Sequence, residues 1–207
     1  MLKSGVTLAV LFLSISFASF AAGQEYPLDV SVAVGPALSR STSGNLTSQS
    51  ATQTGVGLAT VRVNFSRRSS AEFTYSRLRN TQKYDSPPFA YRIQDHVTEY
   101  TGSYIYRPFH WNRIRPFGLA GAGVLRFYPE YTGTTVNGIV VALPTATQTR
   151  ATFVFGGGID YRVTKRWGVR LQYRGFLHEV PDFRVNNLFT GATGLLSMPT
   201  LGVTFRF

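Results

Sequence analysis

The chain has 207 residues, no cysteine and a formal charge of +11 at neutral pH. Without cysteine it can hold no disulfide, no thiolate-bound metal and no cysteine nucleophile. A charge of that size suits either nucleic acid or an anionic lipid surface, and the N-terminal residues bear on the choice.

Lys3 precedes an apolar run from Val6 to Phe20, centred on Leu8-Ala9-Val10-Leu11-Phe12-Leu13, and small residues close it at Ser19-Phe20-Ala21 and Ala21-Ala22-Gly23. Charge, apolar core and small-residue end make the three-part pattern of a secretory signal. The core is short for a retained helical anchor, which needs about 20 apolar residues. Residues 1–23 are therefore expected to be a cleaved signal peptide, with the mature chain starting between Ala22 and Gln24. Residues 24–207 are expected to form one domain. For an exported chain, lipid headgroups rather than nucleic acid are the expected counter-surface of its positive charge.

From residue 29 onward the recurring pattern has period two, the periodicity of strands. In the first strand Val30, Val32 and Val34 share one face, and Asp29, Ser31, Ala33 and Gly35 the other. A second, from about Gly55 to Phe65, sets Val61, Val63 and Phe65 against Thr60, Arg62 and Asn64. The third, Ala71 to Leu78, sets Phe73 and Tyr75 against Glu72, Thr74 and Ser76. In the fourth, Val97 to Arg107, Tyr100, Tyr104 and Tyr106 oppose Glu99, Thr101 and Ser103.

The fifth strand alternates Phe117, Leu119, Leu125 and Phe127 with Gly118, Ala120, Ala122 and Arg126, and its glycines suit sharp curvature or a crowded interior. The sixth alternates Phe153, Phe155, Ile159 and Tyr161 with Val154, Gly156, Gly158 and Asp160. The seventh sets Val169, Leu171 and Tyr173 against Arg170, Gln172 and Arg174. The eighth sets Leu201, Val203, Phe205 and Phe207 against Thr200, Thr204 and Arg206 and ends the chain.

Long and short connections alternate. Ser39 to Thr54, Arg79 to His96, Tyr128 to Ala151 and Leu177 to Thr193 are long, whereas Ser66 to Ser70, Pro108 to Arg115 and Val163 to Trp167 are short. This predicts an all-β fold, an eight-stranded antiparallel up-and-down transmembrane β-barrel with tight turns and both termini on the periplasmic side. A soluble eight-stranded barrel is the structural alternative, but it would hide its apolar face and show its charges. Here the charges lie among Gly, Ala, Ser and Thr, as in a narrow interior, and the opposite face is Val, Leu, Phe and Tyr, as for lipid. Aromatic girdles are expected from Tyr104, Tyr106, Phe117, Tyr161, Phe205 and Phe207 near the short turns, and from Phe127, Phe153, Phe155, Tyr173 and Phe176 near the long loops.

The signal, the eight strands, Arg115-Pro116-Phe117-Gly118-Leu119-Ala120-Gly121-Ala122-Gly123, Phe155-Gly156-Gly157-Gly158-Ile159-Asp160-Tyr161-Arg162 and the terminal Gly202-Val203-Thr204-Phe205-Arg206-Phe207 resemble the small outer-membrane β-barrel superfamily. That superfamily includes OmpA-like and OmpX-like barrels and opacity-type surface proteins. The resemblance spans the mature chain and implies a bacterial outer-membrane location. It also implies that a terminal aromatic strand, here Phe205 and Phe207, is the signal read by the outer-membrane assembly machinery. Its members include anchors, adhesins, small channels and enzymes.

His178-Glu179 is the pair that most suggests catalysis, but neighbours in a strand face opposite ways, and the His-x-Ser arrangement of barrel deacylases is absent. No His and carboxylate set has metal-ligand spacing, and no cofactor is expected. The Gly156-Gly157-Gly158 run lacks the helix and Lys-Ser or Lys-Thr pair of a phosphate loop. The inward charges nearly balance: Asp29, Glu72, Glu99 and Asp160 against Arg62, Arg126, Arg170, Arg174 and Arg206. They are expected to pair across the lumen and plug it, since an eight-stranded interior is just wide enough for side chains. The expected role is a non-enzymatic surface or structural barrel whose long Ser-, Thr- and Asn-rich loops bind an extracellular ligand. A small channel and a lipid-modifying enzyme are the alternatives.

Overall fold

The computed structural model describes residues 28–87, 89–109, 111–136, 139–142 and 144–207, with the backbone alone for 131–136 and 139–142. The expected signal peptide, residues 1–23, lies outside the described residues. Strands β1 (Leu28–Ser39), β2 (Thr42–Gly44), β3 (Thr47–Ala51), β4 (Thr54–Asn64), β5 (Ser69–Ser86), β6 (Phe89–Tyr106), β7 (Ile114–Val136), β8 (Ile139–Ala142), β9 (Gln148–Arg162), β10 (Trp167–Glu179) and β11 (Thr193–Arg206) follow in order. A single 3-10 turn, Asn186–Leu188, sits between β10 and β11.

Eight of these strands close into a ring: β1, β4, β5, β6, β7, β9, β10 and β11 are successive antiparallel neighbours, and β11 returns to β1. The closing register runs from Asp29↔Arg206 through Val34↔Leu201 to Ser39↔Leu196. Closure satisfies the backbone groups that an open edge would leave bare. The fold is the all-β, eight-stranded up-and-down barrel that the strand pattern predicts.

The faces are inverted relative to a water-soluble barrel. Val32, Val34, Phe73, Tyr104, Phe153, Leu171 and Leu201 are exposed, while Arg62, Glu72, Asp160, Arg170 and Arg174 are buried. An apolar outer surface this extensive is one that lipid covers.

At one end the connections are tight. The Ser66 hydroxyl accepts the Arg68 and Ser69 amides at 3.2 and 3.0 Å, and the Thr164 hydroxyl accepts the Trp167 amide at 3.0 Å. Both such turns reuse a short polar side chain in place of a backbone partner. The Phe207 amide donates to the Leu28 carbonyl at 2.9 Å at this same end.

The opposite end differs from expectation. Arg79–His96 is not a loop, because β5 and β6 stay paired from Ser69↔Tyr106 to Ser86↔Phe89. A tilted membrane strand needs about 9–11 residues, so the far parts of these two strands project well beyond the bilayer. The first long connection is also a hairpin, β2–β3, whose tip residues Asn45 and Leu46 have φ of 47° and 60°. Two successive positive φ values make the tight turn that matches strand twist. β3 pairs with β5 from Ser48↔Asp85 to Ala51↔Gln82, joining the two projections into one wall.

A second correction concerns β7, whose phase is opposite to the expected one. Phe117, Leu119, Leu125 and Phe127 point inward and are buried, while Gly118, Ala120, Ala122 and Arg126 point outward. Arg126 is therefore no part of the lumen. Phe117, Phe127 and Phe176 drop out of the aromatic girdles for the same reason, each being buried in the barrel. The outward aromatics at the short-turn end include Tyr104, Tyr106, Tyr161 and Phe207, and those nearer the hairpins Tyr75, Tyr100, Phe153 and Tyr173.

Candidate functional site in the lumen and its mouth

The inward column of each strand brings side chains distant in sequence to one axis. Along four adjacent strands the register sets Arg206, Asp29, Arg62 and Glu72 side by side, so the sign of charge alternates. Arg62 lies at the centre: its Nη2 is 2.7 Å from Glu72 Oε2, and its Nη1 reaches across the lumen to Asp160 Oδ2, also at 2.7 Å. Arg170 on β10 donates to Asp160 Oδ1 at 2.7 Å and to Glu72 Oε2 at 3.1 Å. Arg174, two inward positions further along β10, approaches Glu72 Oε1 at 3.5 Å and Glu99 Oε1 at 2.5 Å, and donates to the hydroxyls of Thr74 and Thr101. Ser76 and Thr101 donate to the Glu99 carboxylate.

Arg62, Glu72 and Arg174 are each 2 % exposed or less. At such burial an ion must find its full complement of partners, because water no longer supplies them. Phe117 serves the same cluster from β7, its ring 4.9 Å from the Arg62 guanidinium carbon and 5.6 Å from that of Arg170. The inward phase of β7 thus has a cause: the arginines need a flat apolar face as well as carboxylates. A Cβ at Gly158 would come within 2.3 Å of the Leu171 carbonyl oxygen on β10 and 2.9 Å of the Phe117 Cζ, so glycine lets both the neighbouring strand and this ring approach.

Of the expected interior charges, Arg62, Glu72, Glu99, Asp160, Arg170 and Arg174 form this one network. Asp29 and Arg206 stand beside it in the same row but make no ion pair with it, and lie 3.9 Å from each other. Arg107, the last residue of the fourth expected strand, is an interior cation that is not among the expected inward charges. It is buried and donates to the Ser70 hydroxyl at 2.7 Å and to Asn64 Oδ1 at 2.9 Å. Its position continues the inward column Glu99, Thr101, Ser103 and Ile105, and that parity is the available signal.

At the hairpin end the filling becomes apolar. Residues 180–189 fold into the mouth, with Phe183 and Leu188 fully buried. Phe183 meets Tyr84 and Phe127 edge-on, at ring separations of 6.5 and 6.4 Å. The Tyr84 hydroxyl donates to the Pro181 carbonyl at 2.5 Å, and Gln148 Oε1 accepts the Asp182 and Phe183 amides at 3.0 Å each. Positive φ at Phe183 and Arg184, 50° and 62°, is held by this clamp. Below it a cavity of about 20 Å³, bordered by Asn80, Gln82, Phe127 and His178, has room for about one water.

Asp95 is buried in this mouth on the projecting part of β6. Burial pushes its carboxyl up to about 8, against a small opposing pull from Gln82. The folded form therefore holds a proton that the unfolded chain releases near pH 4, and the associated stability is complete below that value and lost as pH rises to about 8. Asp95→Asn, which mimics the protonated carboxyl, is expected to melt like wild type at pH 4 and above it at pH 9. Parallel melting curves at both pH values would show that the carboxyl is solvated.

His178 and Glu179 diverge as adjacent strand residues must. The His178 Nδ1–H donates to the Glu179 backbone carbonyl at 3.0 Å, and the Glu179 carboxylate instead holds Arg150 at 2.8 Å. His96 pairs on the outer surface with Glu130, Nε2 to Oε1 2.7 Å. No group of three metal-ligating side chains occurs among the described residues.

A closed antiparallel barrel with buried charge inside and exposed apolar residues outside is a membrane-spanning β-barrel. The chain belongs to the outer membrane protein beta-barrel domain family, which it matches over residues 7–207, and it is a protein of the bacterial outer membrane. Solved structures with the same fold include Neisserial surface protein A (15 % identity, TM-score 0.54, covering 87 % of this chain and 97 % of that one). The outer membrane protein OprG from Pseudomonas aeruginosa is similar (12 %, 0.55, 88 % and 97 %), as is Ail, the attachment invasion locus protein of Yersinia pestis (13 %, 0.48, 86 % and 98 %). No curated protein matches the sequence.

Proposed function

We propose that this protein is a non-conducting barrel that displays its long hairpins at the cell surface to bind an extracellular partner. The observation that carries the reading is the combination of a filled interior with a built outer wall. Arginines and carboxylates occupy the middle of the lumen, and Phe183 and Leu188 occupy its mouth. Above them the β3–β5 pairing fixes a groove of about 420 Å³ between two hairpins, lined by Ser43, Leu46, Thr47, Ser48, Asp85 and Pro87. Leu46 is 96 % exposed at a tip with positive φ. An apolar side chain presented on a rigid turn and surrounded by hydroxyls is suited to contact rather than to folding. The termini and tight turns lie in the periplasm on this reading, residues 1–23 are removed on export, Phe205 and Phe207 present the assembly signal, and no catalytic step is assigned.

Two measurements on one preparation test it. Refolded protein in planar bilayers is expected to give no step conductance above leak. Protease added to intact cells is expected to cut between residues 40 and 54 or 180 and 193, and not at Arg67 or Lys165. Discrete conductance steps would move the assignment to a small channel, and external cleavage at Arg67 or Lys165 would invert the topology.

A further inference from the structure

The outer face of the barrel is not uniformly apolar. Arg77, Arg79 and Lys83 on β5, Arg92 on β6 and Arg126 on β7 all point outward and are exposed. They lie on three adjacent strands, whereas the hydrogen-bonded row that holds Arg77 continues the other way as Gly57, Val34, Leu201 and Leu171. Among the described residues Arg77, Lys83, Arg92 and Arg126 form no salt bridge, and Arg79 shares Glu130 with His96. Asp85, at the top of β5, is the other acid on this face.

Depth argues against a purely aqueous role. Counting about 9–11 residues of tilted strand outward from Ser69 reaches Arg77 and Arg79, where hydrocarbon gives way to headgroups. Directly below Arg77, the outward rings of Tyr75 and Tyr100 are 5.4 Å apart, an aromatic pair at the depth that tyrosine favours. Arg77 and Arg126 share one row through Thr98, two strand spacings or about 10 Å apart. That separation admits one phosphate group between two guanidinium groups, each able to donate two hydrogen bonds.

Beneath Arg126 the outward column of β7 is Val124 and then Ala122, Ala120 and Gly118, with Gly102 on β6 opposite Ala122. Tyr104 on one side and Phe153 on the other stand above it, both exposed. The Phe155 ring leans away over β10, where a Cβ at Gly175 would come within 2.6 Å of it. The result is a shallow trough, as wide as one strand, that runs along Gly118, Ala120 and Ala122 and ends at Val124, one outward position below Arg126.

We propose that the outward face of β5–β7 binds a phosphorylated glycolipid of the outer leaflet, with a phosphate between Arg77 and Arg126 and an acyl chain along Ala120 and Ala122. The cations complement the phosphate, and the small residues admit the chain where a bulky face would hold it off. Choice of the outer leaflet rests on the orientation given above. The protease experiment tests that orientation separately, so failure of either is recognised on its own.

The test uses full-length mature protein reconstituted in phosphatidylcholine vesicles with a minor fraction of diphosphoryl lipid A or the same glycolipid without phosphates. Lipid retained on the protein after detergent extraction is read by native mass spectrometry. Wild type is expected to retain the diphosphoryl form in preference to the dephosphorylated one. Arg77→Gln/Arg126→Gln is expected to lower that retention roughly thirty-fold, the effect of losing two interfacial cations. Arg77→Lys/Arg126→Lys keeps most of it, and Lys165→Gln/Arg166→Gln in a tight turn leaves it unchanged. Heat-modifiable migration reports folding, and Arg126→Gln alone is read if the double variant does not fold. Equal retention of both glycolipids by wild type, or undiminished retention by a folded Gln variant, overturns the proposal.

Discussion

A chain ending at Thr200 is expected to form no barrel, either in cells or in detergent, although the deletion of Leu201 to Phe207 removes only half of β11. These residues carry the seam. Leu201 to Arg206 pair with Val34 to Asp29 on one side, and Leu201 to Phe205 pair with Leu171 to Trp167 on the other. Without them β1 and β10 become facing edges across the apolar band, each with a row of bare N–H and C=O groups. Every such group unsatisfied in hydrocarbon costs several kcal/mol, so the sum exceeds the about 5–15 kcal/mol by which a domain is stable. Deletion of Phe207 alone is a different case. It removes one backbone hydrogen bond to Leu28 and a ring contact at 4.8 Å with Phe205. Its expected effect is slower assembly in cells with normal folding in detergent, as an assembly signal would require. The readout is a heat-modifiable, protease-resistant band in outer-membrane fractions. That band, persisting in the chain without Leu201 to Phe207, would show that the seam can close by other pairings.

The barrel was legible because period two survives wherever one face meets lipid and the other the lumen. It fails as a guide outside the membrane. In Arg79-Asn80-Thr81-Gln82-Lys83-Tyr84-Asp85 the outward face meets water, so polar residues occupy both faces and the segment reads as a loop. The alternation is still there, with Arg79, Lys83 and Asp85 outward and Asn80, Gln82 and Tyr84 inward, but it is charge against hydrogen-bonding side chain rather than apolar against polar. The inversion of β7 has another origin. Periodicity says which residues share a face and not where that face points, so composition had to set the phase. Composition points bulky residues to lipid and small ones to the lumen, the reverse of what the arginine cluster and the apolar mouth require.

Pairing across the lumen was beyond sequence reading altogether. Arg62 and Asp160 are 98 residues apart and meet because the sheet closes with one particular stagger. Neighbours within a hairpin, such as Arg62 and Glu72 or Asp160 and Arg170, follow once the register of a short turn is known. The third dimension of the network follows only from the ring.

That network makes Glu72→Leu the most destabilising single substitution expected in the barrel. Among the described residues Glu72 is the one carboxylate that touches three guanidinium groups, those of Arg62, Arg170 and Arg174. Its loss leaves Asp160 shared between Arg62 and Arg170, while Arg174 keeps Glu99. One buried cation is then in excess, and breaking a buried pair from one side costs about 3–5 kcal/mol. The second substitution decides the cause. Glu72→Leu/Arg170→Leu leaves Arg62 with Asp160 and Arg174 with Glu99, each acid again matched by one base. Replacement of a buried pair by apolar side chains is often neutral or better, so the double variant is expected to recover most of the loss. Urea unfolding in detergent micelles, followed by tryptophan fluorescence, measures all three proteins. A double variant no more stable than Glu72→Leu would mean that the loss comes from packing rather than unpaired charge. A single variant that unfolds like wild type while conductance appears would mean that water already solvates the arginines, and that the lumen is a pore.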